Sequence, residues 1–481
     1  MPSSQLPIEA FPAWALLNNA DFVSADIRDI EGKGFGLVAQ HDIPGVGSDG
    51  SGATAILRIP RDLVLSAEAV EEYAKVDQNF KQLLEVAGRQ STRGDILLYL
   101  LTHLALPKRS CAGARCASTP WTEYLKFLPR SIPVPTMWTA DERELLKGTS
   151  LEAAVSAKLS ALSNEYDELC KQASDLPFWN ALFWEPGTLE DWILADALYR
   201  SRCLELPRAG HAMVPGLDMA NHSLAHSAYY DEGPDGDVVL LPSPGSSVSA
   251  GGEITISYGE AKSAAEMLFS YGFIDHESSV KELTLHLDAL PDDPLGRAKI
   301  RVYRGPRTVR LSLTGQAFQW YSPFLYLLVL NEEDGLAFRV VQDTSGGRQL
   351  KLLWQGEDVT QRTDELETLV RDHHLYQVFK LRAVAVLGER AAMQLDRISS
   401  GPSYGATEQS QAANQPRAEC RLAAERLRDL ETQVLQGVAE ALENEKARLL
   451  LDARVVTYLG SREDAQNEQA PGPASNEDDF S

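Results

Sequence analysis

The sequence predicts an α+β protein: a β-rich domain cut in two by a helical insertion, then a mostly α-helical C-terminal domain. Three observations predict it. Short β segments and turns fill residues 21–75, helical patterning replaces them over 76–205, and β character returns over 206–290. Beyond Pro291, long stretches repeat apolar residues at helical spacing to residue 459. The chain of 481 residues has room for two or three such domains.

In the first β stretch, residues 22–23, 36–39 and 55–60 read as strands, and 45–52 as a flexible glycine/serine loop. In the insertion, Leu97, Leu98, Leu100, Leu101 and Leu104 form one apolar stripe, and prolines mark a loop over 128–135. The second β stretch contains strands at 238–241 and 254–256. In the C-terminal region, 300–302 and 309–311 read as a hairpin around Gly305-Pro306. Ser322-Pro323 opens a helix, because proline suits the first helical turn. Residues 366–395 and 422–451 are long amphipathic patterns, the second with Leu427, Leu430, Val434, Val438 and Leu442 on one face. Residues 399–416 form a loop between them, and the acidic tail 460–481 is too poor in large apolar groups to fold.

A net charge of −24 argues against non-specific nucleic-acid binding, which needs many cations to neutralise phosphates. It favours basic protein partners instead. The longest uninterrupted apolar run, 324–330, is far too short to span a bilayer. The first twenty residues lack the features of a secretory or transit leader. Five scattered cysteines argue against a disulfide framework, and Cys111 and Cys116 have no further ligands at suitable spacing. The expectation is a reduced monomeric protein of the cytoplasm or nucleus, without metal.

Four segments carry the chemistry. Gly32-Lys33-Gly34-Phe35-Gly36 invites a dinucleotide reading, but that fingerprint opens a helix and here a strand-like run follows. Asp218-Met219-Ala220-Asn221-His222-Ser223 offers a carboxylate, an amide and an imidazole in one tight loop. Gly252-Glu253-Ile254-Thr255-Ile256-Ser257-Tyr258-Gly259 delivers a tyrosine hydroxyl at the end of a strand. Neither has the Ser-His-Asp order of hydrolases or the helical histidine spacing of metal sites. Leu268-Phe269-Ser270-Tyr271-Gly272-Phe273-Ile274 adds aromatic groups shortly after.

Together these segments resemble the SET-domain methyltransferases, in the branch of the Rubisco large-subunit methyltransferase-like enzymes. The resemblance implies a β-rich SET fold with a threaded pseudoknot, S-adenosyl-L-methionine as cofactor, and protein-lysine N-methylation of a non-histone target such as a ribosomal protein. Relatives in the branch also act on Rubisco, on transcription-related proteins and on a histidine of actin. A histidine acceptor, or an inactive binding module, is therefore the alternative. The same resemblance puts the main chain of Lys33, Gly34 and Phe35 against the cofactor and has Asn221 and His222 hold it. It adds Arg202, Asp218 and Tyr258 as contacts, with Phe273 packing on the adenine. An Arg202–Asp218 structural pair would satisfy the buried carboxylate equally well. Tyr258 is the catalytic candidate and Tyr271 lines the lysine channel. Most SET domains continue into a cysteine-rich zinc segment, but no cysteine lies between Cys203 and Cys420, so no zinc is needed. The C-terminal region 291–459 is expected to recognise the protein substrate. Arg301, Arg304, Arg307 and Arg310 are read as a solvated hairpin face.

Methyl transfer from a sulfonium to an amine needs a neutral nitrogen lone pair, whereas free lysine, with a pKa near about 10.4, is almost all protonated at neutral pH. The site must take up the deprotonated amine, exclude water and aim the lone pair. A tyrosine hydroxyl can orient that nitrogen without presenting a competing charge.

Overall fold

The computed structural model describes residues 5–45, 54–105, 117–183, 188–276, 280–314, 317–342, 347–401 and 416–469. Residues 46–52 of the expected glycine loop, Cys111, Cys116, residues 402–415 of the expected linker and residues 470–481 of the tail lie outside them. The chain divides into two units. The first comprises Met1–Glu144, Leu151–Ser278 and Ala412–Ala423; the second comprises Leu145–Ser150, Ser279–Gln411 and Ala424–Ser481.

In the first unit, helix α1 (Phe11–Leu17) precedes strands β1 (Ala25–Ile30), β2 (Gly34–Ala39) and β3 (Leu57–Ile59). Residues 22–23, read as a strand, sit just before β1 instead. Helices α2 (Ala67–Val76), α3 (Gln78–Ala87), α4 (Thr92–Ala105), α5 (Pro120–Tyr124), α6 (Ala140–Glu144), α7 (Ser150–Gln172), α8 (Pro177–Phe183) and α9 (Thr188–Arg202) follow, and α2 falls almost wholly within the stretch 21–75 read as β segments. Strands then return as β4 (Cys203–Leu206), β5 (Gly210–Met213), β6 (Asn221–His222), β7 (Ala228–Glu232), β8 (Val238–Pro242) and β9 (Glu253–Ile256), followed by helix α10 (Ala264–Tyr271). The sheets run β1-β2-β9-β6, β3-β8-β7 and β4-β5. Both halves of the β-rich domain therefore contribute strands to the same sheets, which explains how a long helical insertion leaves the domain intact.

Helix α4 differs from its expected single stripe. Every residue from Ile96 to Ala105 is buried, Thr102 and His103 included, because the helix is largely apolar and α2, α3 and α9 pack around it. The one fully buried carboxylate on α9, Asp196, is met by Arg93 of α4 at 2.7 Å, Lys158 of α7 at 2.9 Å and Arg200 at 2.8 Å. Burial opposes its ionisation, yet these three cations hold the carboxyl below its ordinary range.

The second unit carries β10 (Lys281–His286), helix α11 (Gly296–Val302), β11 (Thr308–Thr314), β12 (Ala317–Tyr321), helix α12 (Pro323–Val329), β13 (Leu336–Gln342), β14 (Arg348–Trp354) and β15 (Glu357–Asp358). Helices α13 (Leu366–Val370), α14 (Tyr376–Ser399), α15 (Ala418–Leu450) and α16 (Ala453–Gln469) complete the chain. Residues 300–302 end helix α11 rather than forming a hairpin strand, and β11 pairs with β10 and β12. Val302 is buried and Arg301 exposed at the helix end, so a short apolar–charged alternation was consistent with either structure. Ser322 caps α12, accepting from the Leu325 N–H as its sequence suggested. The face of α15 is buried at Leu427, Val434, Val438 and Leu442. Helix α16 carries on to Gln469, ten residues into the segment expected to be unstructured.

Candidate active site

The glycine loop is the turn of the β1–β2 hairpin. Gly32 and Gly34 have φ of 75° and 77°, the left-handed region that glycine enters without cost, and Ile30 pairs with Gly34. The following residues are strand, which disposes of the dinucleotide reading. Gly36 is glycine for a different reason: a Cβ there would lie 2.6 Å from Asn221 Nδ2. That amide donates to Glu253 Oε1 at 2.9 Å, while Lys33 Nζ reaches Glu253 Oε2 at 2.6 Å. Glu253 thus ties the hairpin to the Asn-His segment. Glu253 lies within the motif 252–259, where nothing local marks it as a tie.

Strand β6 pairs in parallel with β9, Asn221 opposite Thr255 and His222 opposite Ile256, which places Tyr258 beside His222. The Tyr258 N–H donates to His222 Nδ1 at 3.0 Å, and the Tyr258 hydroxyl donates to the Ala220 carbonyl at 2.8 Å. The rings of His222 and Tyr258 stack at 5.3 Å. Tyr258 keeps some surface exposed, but its hydroxyl is enclosed, and burial pushes the phenol well above its ordinary pKa. It is neutral at physiological pH. Burial likewise lowers the pKa of His222, so the imidazole is neutral as well.

Helix α10 delivers the remaining aromatics. A Ser263–Glu266 capping box starts it, and Gly272, with φ of 86°, ends it in a left-handed turn. This sets the Tyr271 ring 4.5 Å from that of Tyr258 and the Phe273 ring 6.3 Å away. Phe35 and Phe273 are each more than a third exposed, unusual for phenylalanine and suited to a flat ligand. Tyr230 on β7 and Cys203 on β4 come within electrostatic reach of the Tyr271 hydroxyl.

Arg202, the last residue of α9, donates to the Asp218 carbonyl at 2.9 Å and lies 3.5 Å from its carboxylate. Asp218 also accepts from the Gly216 N–H at 3.0 Å and from the Tyr124 hydroxyl. Burial pushes its carboxyl above the ordinary range against the pull of Arg202. The structural pairing anticipated for Arg202 and Asp218 is therefore present. One donor is left over: Arg202 Nε is buried with no hydrogen-bond partner. Tyr124 comes from the insertion, 94 residues before Asp218, so no sequence spacing pointed to it. Among the described residues, no three His, Cys, Asp or Glu side chains gather as a metal site, and no described helix is long and apolar enough to cross a membrane.

No protein-family model matches the sequence. The chain is 30% identical over 368 residues to SET domain-containing protein 8 of Schizosaccharomyces pombe, covering 74% of this chain and 80% of that protein. The chain belongs to the SET-domain family. Its relatives include Rubisco large-subunit methyltransferase-like enzymes. It is 26% identical over 313 residues to the chloroplastic Rubisco large subunit N-methyltransferase of Pisum sativum, a match spanning 63% of this chain and 58% of the pea protein. The fold is similar to a crystal structure of the SET domain of LSMT bound to lysine and AdoHcy, with TM-score 0.63, 21% identity, and 97% and 99% of the two chains covered. In this SET domain the hairpin of Lys33, Gly34 and Phe35, the Asn221-His222 strand and the Tyr258–Tyr271–Phe273 aromatic group are held together by Glu253, Ala220 and the β6–β9 pairing.

Proposed function

We propose that this SET-domain chain is an S-adenosylmethionine-dependent protein methyltransferase, and that its acceptor is a lysine of a non-histone protein. The observation that carries the reading is the double anchoring of Tyr258, a neutral, half-buried phenol fixed at its main-chain N–H and at its hydroxyl beside Asn221-His222. The residues present suit the cofactor. Gly34 has open space where a Cβ would stand, Arg202 Nε is a buried donor awaiting an acceptor, and Phe35 and Phe273 offer flat apolar surface. Lys33, Gly34, Phe35, Arg202, Asp218, Asn221, His222, Tyr258 and Phe273 would hold it. When bound, it supplies an electrophilic methyl group on a sulfonium.

The role of Tyr258 follows from its hydrogen bonding. Its proton is committed to the Ala220 carbonyl, so the hydroxyl oxygen keeps lone pairs to accept an N–H from the incoming amine. Accepting that N–H turns the nitrogen lone pair towards the methyl carbon. Methyl transfer to that nitrogen would leave a methylated ammonium, whose proton passes to solvent. Tyr271, packed on Tyr258, narrows the approach so that an extended amine fits. The lysine-bound structural relative supports this acceptor, and the second unit is the proposed surface for the protein substrate.

The test is incubation with S-adenosylmethionine labelled in its methyl group and a fractionated proteome, then identification of the labelled residue. Label on a lysine of a non-histone protein supports the reading. Label on histidine would reassign the acceptor, and no transfer despite cofactor binding would make the chain a binding module.

A further inference from the structure

His222 and Ala220, two residues apart on one short segment, grip the two ends of Tyr258, so whatever fixes the His222 ring also fixes the phenol. Because the Tyr258 N–H donates to His222 Nδ1 at 3.0 Å, that nitrogen carries no proton. In the neutral ring the proton must then sit on Nε2. Only 2% of the His222 side chain is exposed, so water cannot choose the tautomer. Asp275 Oδ2 lies 3.6 Å from Nε2, within ion-pair range and a small movement from a hydrogen bond. Such contacts are often long before substrate binds. Asp275 follows Tyr271 and Phe273 on the same turn, and that turn has little freedom: a Cβ on Gly272 would stand 2.8 Å from the Pro133 main chain. The segment that brings two aromatic residues to the site therefore also brings a carboxylate to the back of the imidazole.

We propose that Asp275 is a positioning residue for Tyr258, holding the His222 proton at Nε2 so that Nδ1 remains the acceptor for the Tyr258 N–H. The inference rests on the reading of Tyr258 as the group that orients the acceptor nitrogen. A ring protonated at Nδ1, in either the other tautomer or the imidazolium, would set a donor against the Tyr258 N–H and release the strand end that carries the phenol. The titratable groups around the ring are Asp275, which favours its protonation, His226, which opposes it, and Tyr258. The Ile256 carbonyl accepts from the ring and also favours its protonation, so Asp275 shares that role, and the Phe273 ring completes the surroundings.

The experiment uses the full chain, labelled with ¹⁵N-histidine and saturated with S-adenosylhomocysteine, to follow the His222 ring nitrogens across pH. It is paired with single-turnover methyl transfer to the acceptor found by labelling. The native chain should show a protonated Nε2 and a bare Nδ1. Asp275→Ala should mix the tautomers and lower the His222 pKa by about one unit. Single turnover should fall roughly tenfold, the acid limb of the pH profile should move down with the pKa, and the cofactor Kd should stay within about twofold. Asp275→Asn keeps an acceptor for Nε2–H but loses the charge, so it should restore turnover to within about threefold while retaining the pKa shift. An unchanged tautomer and rate in Asp275→Ala overturn the proposal, as does a slower rate with the His222 pKa and acid limb unmoved. If Asp275→Ala does not fold, Asp275→Asn decides alone, and an unshifted His222 pKa in it refutes the idea. Full turnover in Tyr258→Phe would sink the catalytic reading while leaving the nitrogen spectra to decide what Asp275 holds.

Discussion

Replacing Asn221 by alanine separates a cofactor role from a structural one, because the structure bounds what the side chain contributes to folding. Its amide makes one hydrogen bond, 2.9 Å to Glu253 Oε1, and Glu253 remains paired with Lys33 at 2.6 Å through its other oxygen. The Glu253 side chain is 19% exposed and that of Lys33 48%, so water can satisfy the orphaned oxygen. The folding cost should be about 0.5–1.5 kcal/mol, a fall in Tm of a few degrees at most, roughly 2–4 °C per kcal/mol for a domain of this size. If the amide also binds the cofactor, a further contact of about 1–3 kcal/mol disappears from the complex, raising Kd by roughly tenfold or more. Calorimetric titration with S-adenosylhomocysteine gives the Kd, and thermal unfolding of the same sample gives the Tm. A variant that melts far below the native chain while its folded fraction binds normally would refute the cofactor assignment and return Asn221 to the role of strand tie.

Other perturbations test neighbouring parts of the account. Gly36→Ala places a methyl 2.6 Å from the Asn221 amide and 2.8 Å from Ile30 Cγ1, so cofactor affinity and Tm should both fall, and unchanged calorimetry would count against the close approach. Asp196→Ala leaves Arg93, Lys158 and Arg200 around a buried vacancy and should cost about 3–5 kcal/mol in denaturant unfolding; less than 1 kcal/mol would show the cluster to be dispensable. Glu431 on α15 is buried, accepts from Ser150, and burial pushes its pKa up to about 7. A raised folded-state pKa means its contribution is fully present below the ordinary glutamate value and is lost as pH rises through about 7. Glu431→Gln should therefore flatten the decline in Tm between about pH 4.5 and 7; an equal decline in both proteins would contradict this.

What the sequence made legible follows from how local each feature is. The glycine hairpin, the Asn221-His222 pair and the strand ending at Tyr258 are each written in a handful of adjacent residues, and β6–β9 pairing joins two of them directly. Tyr271 and Phe273 came from the family resemblance, and in the structure a capped helix ending at glycine fixes where they emerge. The polar supports were not readable in the same way. Tyr124 meets Asp218 across 94 residues of chain, and Lys33 meets Glu253 across 220, so neither has a local signature. Asp275 was hidden behind more conspicuous aromatics on its own turn. Helix α4 shows the limit of periodicity: leucines that read as one stripe belong to a helix buried on every side, which only the surrounding fold reveals. Residues 300–302 were too few to distinguish a helix end from a strand.

The central claim is that the Tyr258 hydroxyl orients the reacting nitrogen, and Tyr258→Phe tests it most directly. The substitution removes one oxygen and keeps the ring that packs on His222 and Tyr271, at the loss of the 2.8 Å bond to the Ala220 carbonyl, so the fold should survive. Single-turnover methyl transfer to the identified acceptor should fall roughly a hundredfold or more, about 2.7 kcal/mol of barrier, with the cofactor Kd nearly unchanged. Native turnover in a folded Tyr258→Phe chain would contradict the account and leave Tyr271 as the hydroxyl to examine.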